Sequence, residues 1–355
     1  MKKSQIKVPA SSANIGPGFD VLGIALGLYL TVDVTVDRES AAVPGARLNC
    51  SISASGEGAE GLPLAADENL ITRTALYVLR SHDVRVFPVG THVHIHNEIP
   101  LGRGLGSSGA AVVAGVLLGN AVGNLQLSKR RLMDFCLMIE RHPDNISAAM
   151  FGGFVGSFLR ELSGTELERV EIPLAEVLPQ PCQNQGGLDT GLVPPLPPMD
   201  ISRSMQYGLA PEIRAVCVIP QFEVSTAMSR DVLPSAYTRQ DSIYNLQRIS
   251  LLIPALAQSP PDAELVHLSM QDRLHQRYRR VLVPGLADIL TTLSPRMNPG
   301  LLGVCLSGAG PTVLALATDN FESIANEIIS TFKTHNVECV WKLLEPAKGA
   351  ETIEL

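Results

Sequence analysis

The run at residues 100–111, PLGRGLGSSGAA, constrains this chain more than any other stretch. Gly102, Gly104, Gly106 and Gly109 give it backbone freedom and bare N–H groups, and Ser107 and Ser108 add paired hydroxyls. Upstream, residues 91–99 (THVHIHNEI) alternate polar and apolar side chains as a strand does; downstream, residues 108–122 form an Ala, Val and Leu run long enough for a helix. The loop therefore opens a helix N-terminus, where unpaired amides and the positive end of the macrodipole favour phosphate. Ser107 or Ser108 is expected to N-cap that helix and to offer a ligand to a phosphate-bound cation. The chemistry is that of a nucleoside-triphosphate cradle.

Two familiar loops fail here. GLGSSG at 104–109 satisfies the dinucleotide fingerprint, but no Asp or Glu follows within about 20 residues to hold a ribose, and no Gly-Lys-Ser/Thr is present for a Walker loop. The bland alternative is a glycine-rich turn that only lets a helix pack closely on a sheet.

A length of 355 residues with 45% hydrophobic and 18% charged residues suits a globular chain of about two domains. The net charge of −7, with Lys and Arg scattered apart from short clusters at 129–131 and 277–280, argues against nucleic acid and membrane surfaces and for a small-molecule partner. Cys50, Cys136, Cys182, Cys217, Cys305 and Cys339 are far apart without a C-x-x-C pair, which predicts reduced core residues rather than zinc or redox chemistry. The N-terminal residues lack an apolar leader and the most apolar run, 110–122, is short and broken, so a cytoplasmic protein is expected.

Residues 1–8 read as a short basic entry to a glycine- and proline-rich turn between Asn14 and Asp20. Strands are expected at 29–37, 47–54 and 91–99, and helices at 69–81 and 108–122. Ser128 reads as the N-cap of an amphipathic helix over 129–141 that delivers Glu140; HPDN at 142–145 then breaks the chain before a glycine-rich strand. Residues 176–212 hold seven prolines and predict a long loop or mobile insertion. Beyond it come a strand at 214–220, helices at 242–257 and 264–281, two strands flanking SGAGPT within 301–317, a helix at 321–335 and a closing strand at 337–344. The division falls into domains 1–170 and 171–355, with α+β content.

Three motifs, PASSANIGPGFDVLG, PLGRGLGSSGAA and LSGAGPT, occur in the order and approximate separation of the GHMP small-molecule kinases, which the chain resembles over residues 8–317. SANIGPGFDVLG, ERHPDN, STAMSR and HQRYR followed by LVP are most similar to the homoserine-phosphorylating branch of that superfamily. The resemblance implies the two-domain GHMP kinase fold, a ribosomal-S5-like N-terminal domain and a ferredoxin-like C-terminal domain. It further implies ATP and Mg²⁺ at their junction, L-homoserine as substrate in threonine biosynthesis, and a homodimer.

Carried over by motif, the phosphate cradle comprises Pro100, Gly102, Arg103, Gly104, Leu105, Gly106, Ser107, Ser108 and Gly109, with Ser107 or Ser108 and Glu140 holding Mg²⁺. Asn69 matches the adenine position; read alone, it is a helix N-cap. Substrate residues are Asn14, Asp20, His142, Thr226, Arg230 and Arg279: arginines grip a carboxylate in fork geometry, and an aspartate holds an ammonium or hydroxyl. Taken singly, each arginine reads as a surface charge, Glu140 as a solvated helix carboxylate and His142 as a helix C-cap. The family often has a lysine three residues before the loop proline, and here that residue is Asn97. Some members use an aspartate base, but HPDN supplies Asn145, so Asp20 or no residue takes that part; Arg230 joins Asp20 as the catalytic pair. A kinase for another alcohol and a catalytically dead sensor are the competing readings.

Overall fold

A computed structural model describes residues 1–37, 39, 47–170 and 193–355. Its spine is an antiparallel pair, β1 (Lys2–Ala13) and β2 (Leu22–Val36). Alternation in β2 sends Leu30, Val32 and Val34 inward and Thr31, Asp33 and Thr35 outward. On one side β4 (Thr91–Asn97) pairs antiparallel with β2, and β3 (Cys50–Gly56) pairs parallel with β4. On the other, β11 (Glu351–Glu354) pairs with β1. β5 (Phe154–Leu159) pairs with the start of β2 and carries β6 (Ser202–Tyr207), completing a seven-stranded sheet.

Four helices cover this sheet: α1 (Leu70–Arg80), α2 (Ser107–Gly123), α3 (Lys129–Glu140) and α4 (Asp144–Phe151). α2 and α4 lie against β1 and β2, and α1 and α3 pack on α2. α2 is apolar all round because it is buried between layers. Asn69 and Ser128 cap α1 and α3 where the sequence places them, accepting from Ile71 N at 3.0 Å and Arg131 N at 3.2 Å. α2 departs from expectation. Its N-cap is Gly106, left-handed at φ 69° and without a side-chain cap, so Ser107 is the first helical residue and neither serine spends its hydroxyl on capping.

The second sheet is antiparallel, in the order β10 (Cys339–Leu344), β7 (Arg214–Pro220), β9 (Val313–Ala317), β8 (Leu301–Leu306). Both its faces are buried. Val216, Val218, Val313 and Ala315 pack with the helices Leu286–Thr292 and Phe321–Thr334, whereas Ala215, Cys217, Ile219, Leu314 and Leu316 join the core of the first sheet. The architecture is α+β.

Several expectations are corrected. HPDN does not lead straight into a strand: it starts α4, and Gly152 and Gly153, both at positive φ, then turn the chain into β5. The helix expected over 264–281 is two pieces, Ala263–Ser269 and Gln276–Arg279, because the Asp272 carboxylate accepts from the N–H groups of Leu274, His275 and Gln276 at 2.7–2.9 Å in place of helical carbonyls. The loop expected over 176–212 contains β6; its part at 176–192 lies outside the described residues. Residues 337–344 do not close the fold, since β11 follows. β6 and β11 thus belong to the first sheet although both come from residues 171–355. Cys50, Cys136, Cys217 and Cys305 are free and buried, Cys339 is free and half-buried, and Cys182 lies outside the described residues. Among the described residues no helix is long and apolar enough to cross a membrane.

Candidate active site

The three glycine-bearing loops, at 14–20, 102–109 and 308–310, meet in one cleft. Ser11 N donates to Leu105 O at 3.1 Å, Gly308 N to Ala13 O at 3.1 Å and Thr312 N to Arg103 O at 3.3 Å. Ser307 Oγ reaches Gly104 O at 2.6 Å and Ser12 Oγ at 2.7 Å. Gly104, at φ 79°, permits this approach; a Cβ there would collide with the carbonyl of Ser307. The resulting cavity of about 190 Å³ lies between the loop that opens α2, the 13–20 turn and Gly308–Gly310.

The cradle end of the cleft carries Gly102, Arg103, Gly104, Gly106, Ser107, Ser108 and Gly109. Ser108 Oγ donates to Glu140 Oε1 at 2.6 Å, so the last residue of α3 brings a carboxylate beside the N-terminus of α2. Hydroxyl and carboxylate oxygens are hard ligands, and this pair suits a magnesium ion that takes its remaining ligands from phosphate and water. Among the described residues no cluster of three or more His, Cys, Asp or Glu forms a protein-only metal site.

At the other end, Arg230 forms a bidentate pair with Asp20, Nη2 to Oδ1 at 2.9 Å and Nη1 to Oδ2 at 3.3 Å. Asp20 is held there by a strained turn. Its φ is 56° and that of Asn14 is 74°, a conformation short polar side chains tolerate by bonding locally. Asn14 Oδ1 accepts from Asp20 N at 3.1 Å and its Nδ2 donates to Gly308 O at 3.1 Å. Arg279, 3% exposed, donates to Ser229 O at 3.1 Å and Gly308 O at 2.9 Å. Burial, with the neighbouring Arg230 charge, lowers its pKa from the usual guanidinium value.

His142 joins the two ends. Its Nδ1 lies 3.0 Å from Asp144 Oδ1 and its Nε2 3.6 Å from Glu140 Oε2. Burial disfavours the imidazolium, but the hydrogen bond and charge of Asp144, with the charge of Glu140, outweigh it and raise the pKa. Arg141, left-handed at φ 64°, is the C-cap of α3, which leaves the His142 side chain for the cleft.

Of the predicted residues, Asn14, Asp20, His142, Thr226, Arg230, Arg279, Glu140 and the cradle positions except Pro100 and Leu105 line this cleft. Leu105 is buried, and Asn69 is buried and not among the lining residues, its amide spent on Ile71 N and Pro63 O. Asn97 likewise binds Glu57 O and Ile99 O. Sequence reasoning missed Asp144 and Gly308–Gly310 as lining residues; SGAGPT signals the latter, whereas nothing local shows that Asp144 turns back onto His142. Asn145 faces the cleft with its Oδ1 accepting from Ser11 Oγ at 2.9 Å, an amide that serves as no base.

Residues 69–153 match the GHMP kinases N terminal domain and residues 252–334 the GHMP kinases C terminal domain. The homoserine kinase of Saccharomyces cerevisiae is 60% identical over 99% of this chain and 98% of its own. That of Candida albicans is 52% identical over 99% and 98%. The crystal structure of homoserine kinase from Cytophaga hutchinsonii superposes with a TM-score of 0.73 at 23% identity, covering 99% of this chain and 97% of that one, and so shares the fold. With end-to-end identity of this order and both GHMP kinase domains matched, the chain belongs to the homoserine kinases of the GHMP kinase family.

Proposed function

We propose that the protein transfers the γ-phosphoryl group of ATP to the side-chain hydroxyl of L-homoserine, giving O-phospho-L-homoserine and ADP. The observation that carries this reading is the Asp20–Arg230 pair at one end of a cleft whose other end is a phosphate cradle. A zwitterion exchanges that one ion pair for two: its carboxylate takes Arg230, supported by Arg279 and a cationic His142, and its ammonium takes Asp20. Its hydroxyl then points along the cleft toward residues 102–109.

The backbone N–H groups of that loop and of the first turn of α2 hold the phosphates, and Arg103, fixed by Gln221 Oε1 at 2.7 Å, closes the loop's outer side. Ser107, Ser108 and Glu140 are the residues that would hold Mg²⁺, which when bound neutralises charge on the transferring group. Phosphoryl transfer through a loose transition state needs positioning and charge stabilisation more than a strong base, and the loop's N–H groups supply that stabilisation while Arg230 positions the substrate.

ADP release measured with L-homoserine, homoserine analogues, mevalonate and galactose tests the assignment. Turnover with L-homoserine well above the others supports it; turnover with another alcohol overturns the substrate, and none with any of them favours the sensor reading.

Asp144 acts here as a positioning residue. Asp144→Asn removes the carboxylate that raises the His142 pKa, so the imidazolium, present below that pKa and lost as pH rises through it, is lost at lower pH than in the parent. The His142 NMR titration is expected to move down, and the homoserine KM to rise about fivefold in the interval between the variant's and the parent's His142 titrations, the scale of ~1 kcal/mol, with kcat little changed. An unmoved His142 titration would overturn this role.

A further inference from the structure

We infer that the protein carries a second site, for a small oxyanion, in a cavity of about 480 Å³ behind residues 272–280, and that an anion bound there acts on the turn that holds Asp20. One wall is basic, with Arg273, Arg277 and Arg280, and the other apolar, with Met270, Leu290 and Val304. Three guanidinium groups here meet two carboxylates, Asp272 and Asp241. Asp272, the carboxylate on this wall, already accepts four hydrogen bonds, from Asn245 Nδ2 and the N–H groups of residues 274–276. Arg277 is paired with Asp241 at 2.7 and 3.2 Å, and Arg273 reaches the same carboxylate only at 3.7 Å. Arg280 has no ion pair among the described residues.

Two buried polar atoms of the lining, Arg277 Nε and His267 Nδ1, have no hydrogen-bond partner. Guanidinium forks suit carboxylate and phosphate alike, and the apolar wall and the volume suit a metabolite-sized anion.

The opposite side of the same segment supports the substrate turn. His275 Nε2 binds Gly16 O at 2.8 Å and its ring stacks on Phe19 at 5.4 Å. Asn245, bonded to Asp272, donates to Pro17 O at 3.1 Å. Gly16 packs so closely on Met270, in the cavity wall, that a Cβ there would collide with the Met270 carbonyl. Arg279, between the cavity residues Arg277 and Arg280, holds Gly308 O in the first cleft. An anion drawing Arg273 and Arg280 inward therefore loads the segment on which the turn rests, and the homoserine KM reads the result.

Isothermal titration calorimetry of the full chain in low-chloride buffer tests the site, with a non-hydrolysable ATP analogue and L-homoserine saturating the first cleft. Inorganic phosphate and propionate are titrated separately, which distinguishes a phosphate source from a carboxylate one. We expect one of them to bind, and binding to weaken at least about tenfold in the double variant Arg273→Ala, Arg280→Ala, whose kcat without added anion stays within about twofold of the parent. The bound anion is expected to shift the homoserine KM in the parent and not in the double variant. No binding of either anion, or equal binding by parent and variant, overturns the site; binding without a KM shift overturns the coupling. The binding measurement is independent of the reaction proposed above, so phosphate binding with no homoserine turnover would sink that reaction alone.

Discussion

Glu140→Ala is expected to lower kcat by about 10²–10³-fold, the scale of removing one preorganised group that stabilises developing charge. Glu140 ends α3 and places one carboxylate oxygen 2.6 Å from Ser108 Oγ and the other 3.6 Å from His142 Nε2. The substitution leaves only the hydroxyls of Ser107 and Ser108 among the residues proposed to hold Mg²⁺. The side chain lies at the edge of the cleft, outside the core formed by Leu132, Phe135, Cys136 and Ile139, so the variant is expected to fold and to keep its circular dichroism. The diagnostic readout is the Mg²⁺ dependence of turnover, which should move to higher concentration. An unchanged dependence would remove Glu140 from the metal site.

The second large effect is expected at Asp20. Asp20→Asn is predicted to lower kcat more than about a hundredfold, the lower end of what a general base contributes. Among the described residues three carboxylates line the cleft: Glu140 bonds Ser108, Asp144 bonds His142 and the N–H of Asn145, and Asp20 bonds Arg230. Among the described side chains the Asp20 carboxylate bonds Arg230 alone; a substrate carboxylate that takes Arg230 frees it, and the split between kcat and KM tells whether it then holds the ammonium or takes the hydroxyl proton. A normal kcat with only a raised KM would reduce Asp20 to a group that holds the ammonium.

What the sequence discloses here is what local chemistry decides. Asn69 and Ser128 cap their helices because a short acceptor two or three residues ahead of the amide it serves is a local event. The strand Arg214–Pro220 is legible because an unbroken apolar run fits a strand buried on both faces. β6 was hidden because its pairing with β5 crosses more than forty residues of chain, and its flanking prolines argue locally for a loop. The break at Asp272 was hidden because helical periodicity registers apolar spacing and not a carboxylate that diverts three amides. The motifs named most of the cleft in advance; Asp144 escaped because its role is a contact with His142 made by the turn into α4.

The return of β11 to β1 has a mechanical consequence. The backbone passes between the two sheets twice, after β6 and after β10, and the second passage is fastened along its length, Gly27 N to Glu345 O, Ala347 N to Ala25 O and Ala350 N to Ala149 O at 2.8–3.0 Å. A body tethered at two places and sharing one apolar interior cannot swing on a single linker.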